Sequence, residues 1–191
     1  MKLQPLQAET LFAAQQVAAE LFPWEHEHQL ALPAALDPVG HAEFLEERGL
    51  VTVRAWTTHL AGGPVSGLAT LYGYREQPEE LWLAWFGLLP AVRGRGVGAQ
   101  LLDWLIGYAQ AQGKRTMRLW TTDEPEYAKA MALYTRRGFI PERHPPLPGE
   151  DWTTYVLSLG LDGSAPKSWI TLPNRRELCG REAPHVHAAA A

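Results

Sequence analysis

Residues 93–98 read "RGRGVG" and lie between an apolar stretch, "LWLAWFGLLP", and an amphipathic one, "AQLLDWLIGYAQAQG". A strand that runs through glycines into a helix is a tightly constrained corner. The first N–H groups of a helix have no intrahelical partners, and the helix dipole adds roughly half a positive charge there. Glycines let backbone approach an anion without side chains in the way. Arg93 and Arg95 add charge-assisted donors. The hexapeptide alone supports two readings: a phosphate-binding loop, or a tight turn carrying solvated arginines.

The spacing narrows the first reading. Gly94, Gly96 and Gly98 form GxGxG, whereas dinucleotide folds use GxGxxG after an early parallel βαβ unit, with an acidic residue ~20 positions on. No Gly-Lys-Ser/Thr follows, so this is not a Walker A loop. An RNA-binding RG segment is disfavoured because ordered apolar elements flank the glycines. A net charge of −4 and a pI near 6.0 also argue against a nucleic-acid binder.

The rest of the chain reads as one α+β domain over residues 1–160, with a mixed, mostly antiparallel sheet flanked by helices. Residues 2–6 are predicted as a short strand. Leu11, Ala14, Val17, Ala18 and Leu21 recur at helical spacing, with Thr10 as the cap. The prolines of "FPWEHEHQLALPAALDP" predict an irregular segment, and "HAEFLEER" a short helix stopped by Gly49. "LVTVRAW", "VSGLATLYGY" and "LWLAWFGLL" read as three strands of a meander, joined by "AGGP" and "REQPEE". Beyond the corner, Leu101, Leu102, Leu105 and Ala109 form the apolar stripe of a helix stopped by Gly113. "TMRLWTT" is the next strand. A second helix follows, capped by Thr122 or Asp123, with Pro125 in its first turn and Gly138 past its end. "GFI" and "WTTYVLSL" complete the sheet around the loop "PERHPPLPGE". Residues 161–191 are expected to form a C-terminal extension, with an edge strand at 168–172 and then a mobile end.

With 191 residues, 46% of them hydrophobic and 20% charged, the chain can build one substantial core. The N-terminus lacks a signal peptide's apolar run, and no segment approaches the ~18 apolar residues of a membrane span. The single cysteine, Cys179, suits a reducing compartment. A cytoplasmic protein without membrane or nucleic-acid partners is expected, and a homodimer is left open.

"LLPAVRGRGVGAQLL" resembles the pyrophosphate-binding motif of the GNAT superfamily of N-acetyltransferases: Gln or Arg, two residues, Gly, one residue, then Gly or Ala. Arg93, Gly96 and Gly98 occupy those positions, with Pro90 ahead of them. Downstream, "YAKAMALYTRRGF" is similar to the family's second motif, commonly Asn-x-x-Ala-x-x-Leu-Tyr-x-x-x-Gly-Phe. Ala130, Leu133, Tyr134, Gly138 and Phe139 match it. The resemblance spans roughly residues 2–160 and implies the GNAT fold, with a cofactor cleft between the fourth and fifth strands.

It further implies acetyl transfer from acetyl-CoA to a primary amine of a small molecule or peptide, by direct attack in a ternary complex. The pantetheine arm would pair with backbone at Leu88 and Leu89. The pyrophosphate would meet N–H groups from Arg93 through Gly94, Arg95, Gly96, Val97 and Gly98 to Ala99. Tyr134 stands where the family often keeps a general acid, and the N–H of Leu88, at a fourth-strand bulge, would hold the oxyanion.

Two departures stand out. The family's frequent Asn is Tyr127 here, altering a contact that faces the cofactor. The fourth strand carries no carboxylate where many members keep a general base; Ala84 and Trp85 stand in its place. Those departures keep a second reading open, a non-catalytic acyl-CoA-binding module. In the loop "WEHEH", Glu25 or His26 could act as the base or contact the acceptor, with Glu27 and His28 beside them. A solvated polar loop is the plainer reading, and no metal is expected, since zinc wants three or four convergent ligands. Trp24, Trp82, Trp85 and Trp120 either line an acceptor pocket or pack the core.

Overall fold

Alternating apolar residues in the middle of the chain produce its three longest strands, β2 (Leu50–His59), β3 (Val65–Tyr74) and β4 (Glu80–Leu88). The computed structural model describes residues 2–60, 62–144 and 149–172. Strand β1 (Lys2–Pro5) precedes this meander, and β5 (Thr116–Thr122), β6 (Ile140–His144) and β7 (Thr154–Gly160) follow it. Together they form a seven-stranded sheet in the order β1-β2-β3-β4-β5-β7-β6. Every neighbouring pair is antiparallel except β4 and β5.

Helices α1 (Ala8–Leu21), α2 (His28–Leu36) and α3 (Ala42–Glu47) cover one face of the sheet, while α4 (Val97–Ala111) and α5 (Ala128–Arg136) cover the other. Helix α1 begins earlier than its periodicity predicts. Thr10 lies inside it, and its hydroxyl accepts the N–H of Gln7 at 3.1 Å.

Helix α2 replaces the irregular segment expected from its prolines. Ala31, Leu32 and Ala34 are fully buried, and that packing outweighs the breaker Pro33. Pro33 has no N–H for the carbonyl of Gln29. The Nε2 of Gln15, reaching over from α1, donates to that carbonyl at 3.5 Å, the long limit for such a bond.

The parallel pairing of β4 with β5 covers only three residues on each strand, Glu80–Trp82 against Thr116–Arg118. A buried ion pair closes this end. Arg118 is 0% exposed and grips Glu80 in a bidentate fork, Nε and Nη2 each donating at 2.7 Å. Nη1 also donates to the Ser158 hydroxyl and Nη2 to the carbonyl of Lys167, and the guanidinium lies 5.7 Å from the centroid of Trp169. Beyond Trp82 the two strands no longer pair, which leaves a gap between them.

Residues 168–172 are a turn rather than the expected edge strand. The Glu142 carboxylate accepts the N–H groups of Trp169 and Ile170 and the Ser168 hydroxyl, which occupies the backbone that an edge strand would need. Trp169 is buried against Trp82, centroids 4.7 Å apart. Residues 173–191, including the expected mobile end and Cys179, lie outside the described residues.

Opposite Thr70, β4 holds one extra residue. Leu71 pairs with Leu83, but Ala69 pairs with Phe86, so Ala84 and Trp85 together face Thr70. The Thr70 hydroxyl accepts the Trp85 N–H at 2.7 Å. Strict alternation would send Trp85 to the α4 face with Leu81 and Leu83. The bulge turns it to the α1–α2 face instead, and Phe86 to the α5 face.

Candidate active site

The glycine-rich corner opens α4. Gly94 and Gly96 have φ of 77° and 74°, a left-handed conformation that favours glycine, and Gly96 is the residue before the helix. No side chain caps this helix start. A Cβ added at Gly94 or Gly96 would meet nothing within 4 Å, so open space lies beside both glycines. That combination fits a diphosphate-bearing cofactor, the expectation for residues 93–99. Arg95 is exposed, and the Nε of Arg93 donates to the carbonyl of Leu88 at 2.7 Å, tying the loop to the end of β4.

Leu88 and Leu89 differ in availability. The Leu89 N–H goes to Ser66 at 2.9 Å and its carbonyl accepts from Val92 at 3.0 Å, so of its backbone groups only the second lone pair of that carbonyl is left for the expected pantetheine arm. Alternation then turns the N–H of Leu88 away from β3 and into the gap. Leu88 itself is not at the bulge, which falls at Ala84 and Trp85 because Thr70 supplies a side-chain acceptor there.

Tyr134 is 6% exposed and stands on α5, with ring centroids 6.1 Å from Phe86 and 5.9 Å from Phe139. Among the described residues its hydroxyl has no hydrogen-bond partner. Burial pushes its pKa well up, so the phenol stays protonated.

On the opposite face, the gap opens into a cavity of about 420 Å³. Ala84 and Trp85 of β4 form one wall, and Trp120, Thr121 and Thr122 of β5 another. The loop after α1 contributes Phe22, Trp24 and Glu25. Tyr127, expected at the cofactor, lines this cavity too and meets Trp24 edge-on at 6.3 Å. Burial, together with Glu126 and Glu124, pushes its phenol up.

Of the two candidate bases, the structure brings Glu25 to the cavity and leaves His26 exposed outside the lining. Burial first, and Glu27 second, push the Glu25 carboxyl above its ordinary value. Glu27 instead pairs with Arg48 at 3.0 Å and accepts from Tyr72 at 3.4 Å, while Tyr72 accepts the indole N–H of Trp85 at 2.9 Å. His28 is 1% exposed and packs edge-on under Trp85, where burial lowers its pKa. Trp82 belongs to the core beside Trp169 and does not line the cavity.

Several lining residues escaped sequence reasoning: Glu124, Glu126, Glu150, Trp152 and Thr154. They come from two separate stretches, 124–126 and 150–154, and only the fold gathers them. Among the described residues no three His, Cys, Asp or Glu side chains converge as a metal site, and no helix is long and apolar enough to cross a membrane.

A seven-stranded sheet splayed beside its one parallel pair, with a glycine-rich helix start on one side and a cavity on the other, is the GNAT fold. The chain belongs to the GNAT acetyltransferase family, whose model matches residues 6–139. No curated protein matches the sequence. Among solved structures, a GNAT-family protein of Desulfovibrio desulfuricans superposes with a TM-score of 0.66 at 15% identity, covering 84% of this chain and 98% of its own. The protein yncA of Salmonella typhimurium, solved with its cofactor acetyl-CoA, gives 0.62 at 18% identity, covering 88% and 98%. The ribosomal-protein-S18-alanine N-acetyltransferase of Escherichia coli gives 0.60 at 19%, covering 86% and 96%.

Proposed function

We propose that the chain is an acetyl-CoA-dependent N-acetyltransferase acting on a primary amine. One observation carries this reading: the gap between β4 and β5 joins an uncapped glycine-rich helix start to a cavity holding a carboxylate of raised pKa. When bound, acetyl-CoA supplies an activated acetyl thioester and a thiol leaving group. N–H groups from Arg93 to Ala99 hold its diphosphate, as the motif implies.

In this reading Glu25 takes the proton of the acceptor ammonium, directly or through water, and frees the nitrogen lone pair. The Leu88 N–H donates to the carbonyl oxygen as negative charge gathers on it. The carbon–nitrogen bond forms and the carbon–sulfur bond breaks; the Tyr134 hydroxyl donates to the departing sulfur, and the second proton that the nitrogen sheds as the amide forms returns to the Tyr134 oxygen through water. A phenol held neutral and without another partner is suited to that role.

The experiment is incubation with acetyl-CoA and a panel of primary amines, following CoA release with a thiol-reactive dye and product by mass. Enzyme-dependent CoA release with an N-acetylated product is expected. Tight acetyl-CoA binding with no product on any amine would leave the acyl-CoA-binding module as the correct reading.

A further inference from the structure

The cavity carries more negative charge than amine deprotonation requires. One carboxylate, Glu25, suffices for the reacting nitrogen. Glu124 and Glu126, from the segment that follows β5, also line the cavity, and among the described residues no Lys, Arg or His does. Among the described residues neither glutamate has an ion-pair partner; Glu124 accepts only the neutral hydroxyl of Thr122, at 2.7 Å. Two carboxylates that line one opening without a cation beside them offer a positively charged ligand attraction from both.

The rest of the lining fits the same ligand. Trp24, Trp85, Trp120, Tyr127 and Trp152 present aromatic rings, whose faces attract ammonium groups and whose bodies accept methylene chains. Thr154 also lines the cavity. It is 1% exposed, and its hydroxyl has no partner among the described residues, so a hydrogen-bonding group of the ligand can satisfy it.

We propose that the acceptor is a small dication, an extended aliphatic amine with a second, non-reacting positive charge. The reacting nitrogen faces the gap beside Glu25 and Trp85. The second nitrogen keeps its proton and sits between Glu124 and Glu126, with the intervening chain along the aromatic walls. A volume of about 420 Å³ suits a small molecule rather than a folded partner. This inference deepens the transferase reading and uses the same site.

The test is ligand-observed NMR titration in the presence of CoA, so binding is read without turnover. The probes are 1,5-diaminopentane, 1-aminopentane and 6-aminohexanoate, which share a primary amine and differ in charge at the far end. The diamine is expected to bind at least about tenfold tighter than the monoamine, and the aminohexanoate weakest. In the variant E124Q/E126Q the diamine-to-monoamine ratio is expected to fall toward one. Equal binding of diamine and monoamine to the parent protein overturns the proposal. So does a ratio that the double variant leaves unchanged, or a basic tetrapeptide that binds tenfold or more tighter than the diamine. Preferential diamine binding with no acetylated product in the turnover assay would instead overturn the transferase reading and leave the dication site standing.

Discussion

Replacing Arg118 by Met is expected to be among the most damaging single changes in this protein. The guanidinium is fully buried and makes four hydrogen bonds, two of them to Glu80, which is 5% exposed. Methionine preserves much of the volume but leaves a carboxylate buried without its cation. Removing one partner of such a pair costs about 3–5 kcal/mol, a large share of the 5–15 kcal/mol that typically separates folded from unfolded chains. The loss is read by urea unfolding, followed by tryptophan fluorescence; Trp82 and Trp169 pack beside the pair and report on it directly. The double variant E80M/R118M is the control. It removes both charges, so it is expected to recover part of the loss, short of the parent because Ser158 and Lys167 remain without their donor. A single variant within about 1 kcal/mol of the parent would refute the reasoning, and so would a double variant no more stable than the single one.

Tyr134→Phe should lower kcat by ~10²-fold or more while leaving the unfolding midpoint nearly unchanged, because the hydroxyl has no partner to lose; steady-state kinetics beside a thermal melt checks both. Gly96→Val should weaken acetyl-CoA binding by about tenfold or more, measured by calorimetry, since a β-branched residue at φ 74° costs on the order of 1–2 kcal/mol. The kcat/KM profile should fall on the acid side as Glu25 gains a proton above the ordinary 4.5, and Glu25→Gln should remove that limb. For folding the sign is reversed. A carboxyl whose pKa is raised in the folded state contributes stability that is complete below 4.5 and lost as pH rises through the higher folded value, so Glu25→Gln should gain stability relative to the parent at neutral pH.

The glycine-rich corner was legible in the sequence as a strand-to-helix turn because its residues are contiguous. Gly94, Gly96 and the start of α4 lie within one short stretch, and Tyr134 is fixed by local helical spacing. The meander and the α4–β5–α5 order were legible for the same reason. The lining of the cavity was only partly so, because Glu25 is far along the chain from Glu124, Glu126 and Thr154, and no local pattern links them. Helix α2 escaped because Pro33 is a true breaker whose cost is offset by tertiary packing. Glu80 read as part of a polar hairpin turn, and its partner Arg118 as an ordinary strand residue. The resemblance implied a bulge in the fourth strand but put it at Leu88; its true place at Ala84 and Trp85 left no trace in the residues, because an extra residue in an apolar strand still reads as an apolar strand.

That bulge has a consequence for how the opening is encoded. Deleting Ala84 would keep every other residue of β4 on its present face: Trp85 would simply stand alone opposite Thr70, and Ala69 would still meet Phe86. The ladder would become regular, and the bend that carries the strand away from β5 would be lost. The mouth of the site is therefore written as a count of residues rather than as a choice among them. A chain one alanine shorter should still fold, and should close the gap between β4 and β5.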